Sequence, residues 1–213
     1  MSPVVVDERP KRIVPPPISP ESGCGDDGSG DSNPLFPISK GQLGLWVLMT
    51  GIFMLFAGLT SAYIVLRGVP GWQNIAIPPL LWGDTVVLLA SSVSIEFARR
   101  AVKKNLLPVM NQWVVVTGIL GFAFLIGQFT AWRQLVNAGV YLHSTLHSAF
   151  LYVLTAAHGI HLLGGIVALI YVLGKARAGK LTPFNHAPLK LFSTYWHFMD
   201  ALWLYLFALL VLA

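Results

Sequence analysis

The sequence predicts an all-α membrane protein, a bundle of five transmembrane helices. Three observations point there. Of 213 residues, 55% are hydrophobic and only 11% charged, with a mean hydropathy of +0.67, whereas a soluble domain carries about 25% charged residues. The apolar residues gather in five runs of roughly 20, the length that crosses ~30 Å of hydrocarbon as a helix. None of these runs alternates polar and apolar positions as the strands of a membrane barrel would. The same composition excludes a water-exposed globule and a wholly disordered chain. The net charge of +5 does not indicate nucleic acid, because Lys and Arg flank the apolar runs and form no basic face. Cys24, the one cysteine, can close no internal disulfide and has no partner for a zinc site.

Residues 1–40 read as a disordered cytoplasmic tail. Pro15-Pro16-Pro17 favours an extended backbone, and the run from Ser22 to Asp31, rich in Gly, Ser and Asp, has nothing apolar to bury. Val4 to Val6 is too short an apolar core for a signal peptide. Residues 41–213 then form the five-helix domain, with spans at about 43–66, 80–97, 113–132, 147–173 and 191–212. The first and third are free of charge. The second holds Asp84 near its start and Glu96 near its end, the fourth contains only histidines, and the fifth contains Asp200. Trp46, Trp72, Trp82, Trp113, Trp132 and Tyr141 lie near segment ends, as interfacial belts do. The longest loop is about 17 residues, too short for a soluble catalytic domain.

Orientation follows from the basic residues. With five spans, the tail and the second and fourth loops share one side, which collects twelve of the fourteen Lys and Arg; Arg67 and Arg133 fall on the other. The positive-inside rule then places the N-terminus in the cytoplasm and the C-terminus outside.

Three of the nine acidic residues, Asp84, Glu96 and Asp200, fall within spans, where an ionisable group costs several kcal/mol unless paired. Asp84, near the outer surface, reads as a helix-start acid facing interfacial water. Glu96 is spaced for an ion pair with Arg99 or Arg100. Asp200 lies roughly 14 Å deep, counting 1.5 Å per residue from Leu191. His197 is one turn before it, with Trp196 and Trp203 flanking the pair. On the fourth span His158 and His161 are also one turn apart, among the small residues Ala157, Gly159, Gly164 and Gly165, which admit a close neighbouring helix. The inference is that the two histidine-bearing faces meet, with Asp200 accepting from an imidazole. Three roles stay open for this cluster of His158, His161, His197, Asp200 and Glu96: a hydrogen-bonded packing network, proton handling, or a metal or haem site. His143 and His147 read as interfacial, and Gln128 with Gly118 and Gly121 as marks of close helix contact. Neither a serine-nucleophile elbow nor a phosphate loop is present.

The stretch Tyr195-Trp196-His197-Phe198-Met199-Asp200-Ala201-Leu202-Trp203-Leu204 resembles the WHFxDxxWL signature in the last helix of subunit III of haem-copper (cytochrome c type) oxidases. Ala157-His158-Gly159-Ile160-His161, followed by Gly164-Gly165, is similar to that family's HGxH segment. Leu45-Trp46, Met54 to Ala57 and Ser61-Ala62-Tyr63 look like its first shared helix, and Leu89 to Ser92 and Gly127-Gln128 also fit its pattern. The resemblance covers roughly residues 41–212. Two departures stand out. Longer family members have seven helices, the first two splayed around lipids, and this chain has only the five-helix core. The family also often carries a carbodiimide-reactive glutamate where Ile52 stands here.

The resemblance implies an accessory subunit that binds no cofactor, in a multi-subunit respiratory oxidase of the bacterial inner membrane. It implies haem and copper in partner chains, packing against catalytic subunit I with subunit II and membrane lipids, and support for the proton uptake and integrity of subunit I. On this reading no residue is catalytic or metal-ligating, and Trp196, Trp203, Gly159, Gly164, Gly165 and Gln128 serve packing. Five helices also resemble the third subunit of quinol oxidases and a subunit associated with nitric oxide reductases. A stand-alone membrane metalloprotein using His158, His161 and His197, and a proton-coupled transporter, are the readings from other classes.

Overall fold

The computed structural model describes residues 39–69, 78–178 and 187–212. Of the tail expected over residues 1–40, all but Ser39 and Lys40 lies outside them, as does Trp72. The described residues form five α-helices: α1 (Lys40–Leu66), α2 (Leu80–Lys103), α3 (Leu107–Asn137), α4 (Leu146–Arg177) and α5 (Ala187–Leu212). Each is long and apolar enough to cross a membrane, and no strand occurs among the described residues.

The helices outrun their apolar cores because capping chemistry, not hydropathy, sets their ends. Ser39 Oγ accepts from the Gln42 N–H at 3.3 Å while Gln42 Oε1 accepts from the Ser39 N–H at 3.2 Å, a reciprocal cap that opens α1. Thr145 and Ser148 do the same for α4. Pro108 sits in the first turn of α3, where its missing N–H costs nothing. Between α2 and α3, Asn105 adopts φ 57°. The N–H of Leu106 then reaches the carbonyl of Ala101 and that of Asn105 the carbonyl of Val102, which satisfies the end of α2. Gly139, at φ 80°, closes α3 in the same way through Val140 and Leu135. The last turn of α2 runs past the apolar limit and carries Arg100 and Lys103, charges that suit a helix C-terminus.

Helix α2 packs on α3 and α5, and α4 on α3 and α5, whereas α1 touches only α4 and α5 among the described residues. The main core lies among α2 to α5 around Trp196 and Trp203, the largest of the fully buried side chains. A smaller cluster, including Ile52, Phe56, Leu154 and Met199, holds α1 against α4 and α5. Room for the Trp196 indole comes from glycines on two helices. A Cβ at Gly121 would stand 2.9 Å from Trp196 Cη2, and one at Gly165 would stand 3.1 Å from Tyr195 Cε1 and 3.3 Å from Trp196 Cζ3.

Gly121→Ala therefore costs about 1–3 kcal/mol through overpacking against a rigid ring. Gly164→Ala, with no atom within 4 Å of its Cβ position, costs nothing measurable. Unfolding of the two variants in detergent, followed by the near-ultraviolet tryptophan signal, separates them; equal stability would refute the packing account.

Candidate functional site

A line of polar side chains follows the contact of α2 with α5. The motif on α5 places Trp196, His197, Asp200 and Trp203 within two turns. Trp196 Nε1 donates to Ser91 Oγ at 3.0 Å and Trp203 Nε1 donates to Thr85 Oγ1 at 3.1 Å. Both hydroxyls give their own protons back to the helix, Ser91 to the Leu88 carbonyl at 2.7 Å and Thr85 to the Leu81 carbonyl at 2.8 Å. They are therefore free to accept from an indole. Ser92 Oγ and His197 Nδ1 are hydrogen-bonded at 2.6 Å. Glu96, one turn along α2, holds Arg99 at 2.9 Å and Arg100 at 3.5 Å. Ser92, Val93, Glu96, Phe97, Arg100 and His197 line a niche of about 300 Å³ that opens on the bundle surface.

The two histidine-bearing faces meet only in part: His197 turns to Ser92 of α2 while His158 reaches α5 at Trp203, and the two histidines of α4 diverge. His158 is fully buried, its ring centroid 5.0 Å from that of Trp203 and 5.9 Å from that of Phe124. His161 donates from Nδ1 to the Ala157 carbonyl at 2.7 Å and sets its ring edge against Phe56 of α1, at 5.8 Å. Tyr195 donates to the His161 carbonyl at 2.8 Å. Three residues subtend about 300° on a helix, so the two rings point about 60° apart. Because α4 lies between α1 and the α3–α5 side, that angle sends them into different interfaces. Asp200 is 3% exposed, and neither of its oxygens has a hydrogen-bond partner among the described residues. The imidazole pairing expected for it is thus not formed. Ser92 is the polar neighbour that influences the carboxyl, and its hydroxyl is already committed to His197.

A further expectation is corrected at the opposite end of the bundle. Asp84 does not face interfacial water. It is 5% exposed and lies against α3 at Gly127, where a Cβ would collide with its carboxylate. The cause is the length of α3, which continues to Asn137 and covers the start of α2. His147, in the first turn of α4, is likewise turned inward: it is 2% exposed and 3.4 Å from the Tyr63 hydroxyl, because α1 extends alongside the first turn of α4. Gln128 is buried with neither amide atom hydrogen-bonded among the described residues. Gly159 has Leu125 Cδ2 at 4.0 Å from its Cβ position. Sequence reasoning met Ser92 as part of the family pattern and gave it no partner. Its partner lies 105 residues away, and only the juxtaposition of a serine pair with the tryptophan-histidine motif could have hinted at it.

Among the described residues no three His, Cys, Asp or Glu side chains gather where they could hold a metal ion. Residues 40–212, the stretch containing all five helices, match the family model described as Cytochrome c oxidase subunit III. The chain belongs to the cytochrome c oxidase subunit III family. Similar curated proteins include the "Probable cytochrome c oxidase subunit 3" of Mycobacterium tuberculosis, 28% identical over 198 residues that cover 89% of this chain and 97% of that protein. The "Cytochrome c oxidase subunit 3" of Thermostichus vulcanus is 31% identical over 176 residues, 79% of this chain and 85% of the relative. The protein of the same name from Synechocystis sp. is 30% identical over 177 residues, 80% of this chain and 75% of the relative. A subunit III chain with five membrane-spanning helices is a multi-pass membrane component of a haem-copper oxidase. Its signature on α5 is the stretch that binds α2 through Trp196, His197 and Trp203.

The Asp84–Gly127 contact makes a test of the buried acid. Gly127→Ala costs about 1–3 kcal/mol by forcing the carboxylate aside, and combining it with Asp84→Ala returns most of that loss. A double-mutant cycle on unfolding in detergent measures the coupling; additive effects would show that the contact carries no weight.

Proposed function

We propose that the chain is the accessory, cofactor-free subunit III of a bacterial inner-membrane cytochrome c oxidase. It packs beside catalytic subunit I, in company with subunit II, stabilises subunit I, and supports its proton uptake from the cytoplasmic side. The names of the relatives support the cytochrome c type, and the bias of Lys and Arg supports a cytoplasmic N-terminus. Haem, copper and oxygen reduction belong to the partner chains.

The observation that carries the proton-uptake reading is the short Ser92–His197 hydrogen bond at the wall of the α2–α5 niche. Glu96 stands at the mouth, half-buried between two arginines, and Asp200 lies one turn deeper on α5. Hydroxyl and imidazole each donate and accept, so a proton can be handed between them by reorienting bonds. The carboxylate at the rim and the arginines beside it hold water and ions at the entrance. Such a niche beside the proton entrance of subunit I collects protons when they are scarce in bulk.

Two measurements test the reading. Purification in mild detergent through an N-terminal tag brings down subunits I and II, with the haem signal tracking subunit I. A solitary chain with its own haem or metal would overturn the accessory role and make the histidines an active site. In the assembled oxidase, Glu96→Gln and Ser92→Ala lower turnover several-fold above neutral pH and leave it unchanged at lower pH, with subunit stoichiometry intact. Wild-type turnover at high pH in both variants rules the proton role out and leaves the stabilising one.

A further inference from the structure

At the end of the bundle where α2 finishes and α5 begins, Arg99, Lys103 and Lys190 surround a cavity of about 160 Å³. Its remaining walls are Val102 and Leu189, both fully buried apolar side chains. Arg99 is engaged by Glu96 at 2.9 Å, and Glu96 also takes Arg100 at 3.5 Å. Lys103 and Lys190 have no ion pair among the described residues. Glu96 is the sole acid at this end among the described residues, since Asp200 is buried deeper and Asp84 lies at the opposite end. Beside this cavity one carboxylate, Glu96, stands against four cations, Arg99, Arg100, Lys103 and Lys190, and the two lysines line the cavity without an ion pair among the described residues.

We propose that this cavity binds a phosphate group, that of an anionic phospholipid in the leaflet on this side. Three features define the occupant. The lysines and the outer edge of Arg99 supply ammonium and guanidinium donors from two helices, the chemistry that holds a phosphate ester. The floor of Val102 and Leu189 is apolar, so the anion is attached to something that prefers an apolar contact, as a glycerol ester does and a free phosphate does not. The apolar runs end near Phe97 on α2 and begin near Leu191 on α5, which puts residues 99–103 and 189–190 at the level of the headgroups. Basic pockets between transmembrane helices at that depth suit acidic headgroups. The pocket lies between α2 and α5, and the inference requires no role in proton uptake.

The test uses the complete oxidase in nanodiscs of phosphatidylcholine containing a minor fraction of phosphatidylglycerol, with bound lipid counted by native mass spectrometry. The wild type retains phosphatidylglycerol over phosphatidylcholine. Lys103→Gln with Lys190→Gln lowers its affinity about fivefold per lysine removed and leaves phosphatidylcholine retention unchanged. Both side chains are exposed, so subunit stoichiometry is preserved, and Lys103→Arg with Lys190→Arg keeps the preference. Lys175→Gln with Arg177→Gln, the same charge change at the same end, also keeps it. Undiminished phosphatidylglycerol binding in the glutamine variant, or an equal loss in the Lys175 and Arg177 control, overturns the site. Displacement of phosphatidylglycerol by millimolar inorganic phosphate would assign the cavity to a free anion and overturn the lipid as its occupant.

Discussion

Two indole N–H groups hold the register of the whole bundle. Trp196 and Trp203 are seven residues apart, about two turns, so both leave α5 on one face, and they reach Ser91 and Thr85 on the antiparallel α2. In hydrocarbon no water can replace those acceptors, and an N–H left alone there costs several kcal/mol. Sliding α5 by one turn along α2 would orphan both donors at once. The remaining contacts follow from where the rings then sit. Gly121 of α3 and Gly165 of α4 close over Trp196, while Phe124 and His158 take up positions against Trp203. Helices α3 and α4 are thus located by what fits around two aromatic side chains, and α1 by what α4 and α5 leave uncovered.

The interior polar groups fall into two kinds with different consequences. Thr60, Thr85, Ser91, Thr117 and Thr155 each return their proton to a carbonyl of their own helix, so they ask little of their neighbours and offer a lone pair to them. All but Thr60 also join helices, through Trp203, Trp196, Ser94 and Trp132. Asp84, Asp200, His158 and Gln128 are buried with atoms that no described group satisfies. A packing function alone would favour apolar residues of the same volume at such positions. Carried one each by α2, α3, α4 and α5, they distinguish this bundle from an inert scaffold.

Much of this was legible before any coordinates. Five long apolar runs with few charges specify five spans, because hydrocarbon tolerates little else along a helix, and the YWHFMDALWL stretch points to its family. Helix ends were not legible from hydropathy, since Ser39, Asn105 and Gly139 act through hydrogen bonds and backbone angles outside the apolar runs. The burial of Asp84 and His147 was not legible for a related reason. Counting residues from a span's end gives depth along one helix, and burial depends on how far the neighbours α3 and α1 overhang it. The divergence of His158 from His161 needed the position of α4 between two interfaces, and the tie of Ser92 to His197 joins helices far apart in sequence, beyond any local spacing rule.

The sparse contacts of α1 bear on how the chain is assembled during synthesis. Helix α1 emerges first, yet the helices it touches, α4 and α5, are made last. Throughout the insertion of α2 and α3 it meets neither of them among the described residues and stays in the membrane without its partner helices. Its sequence suits that wait, for it is apolar between its caps, and Thr60 bonds back to Phe56 and Ala57 of its own backbone. Helix α2, with a carboxylate and several hydroxyls inside hydrocarbon, has no such independence, and α3 follows it after a three-residue turn. Biogenesis on this account proceeds through an α2–α3 hairpin first and a late capture of α1, with the C-terminal helix completing both contacts.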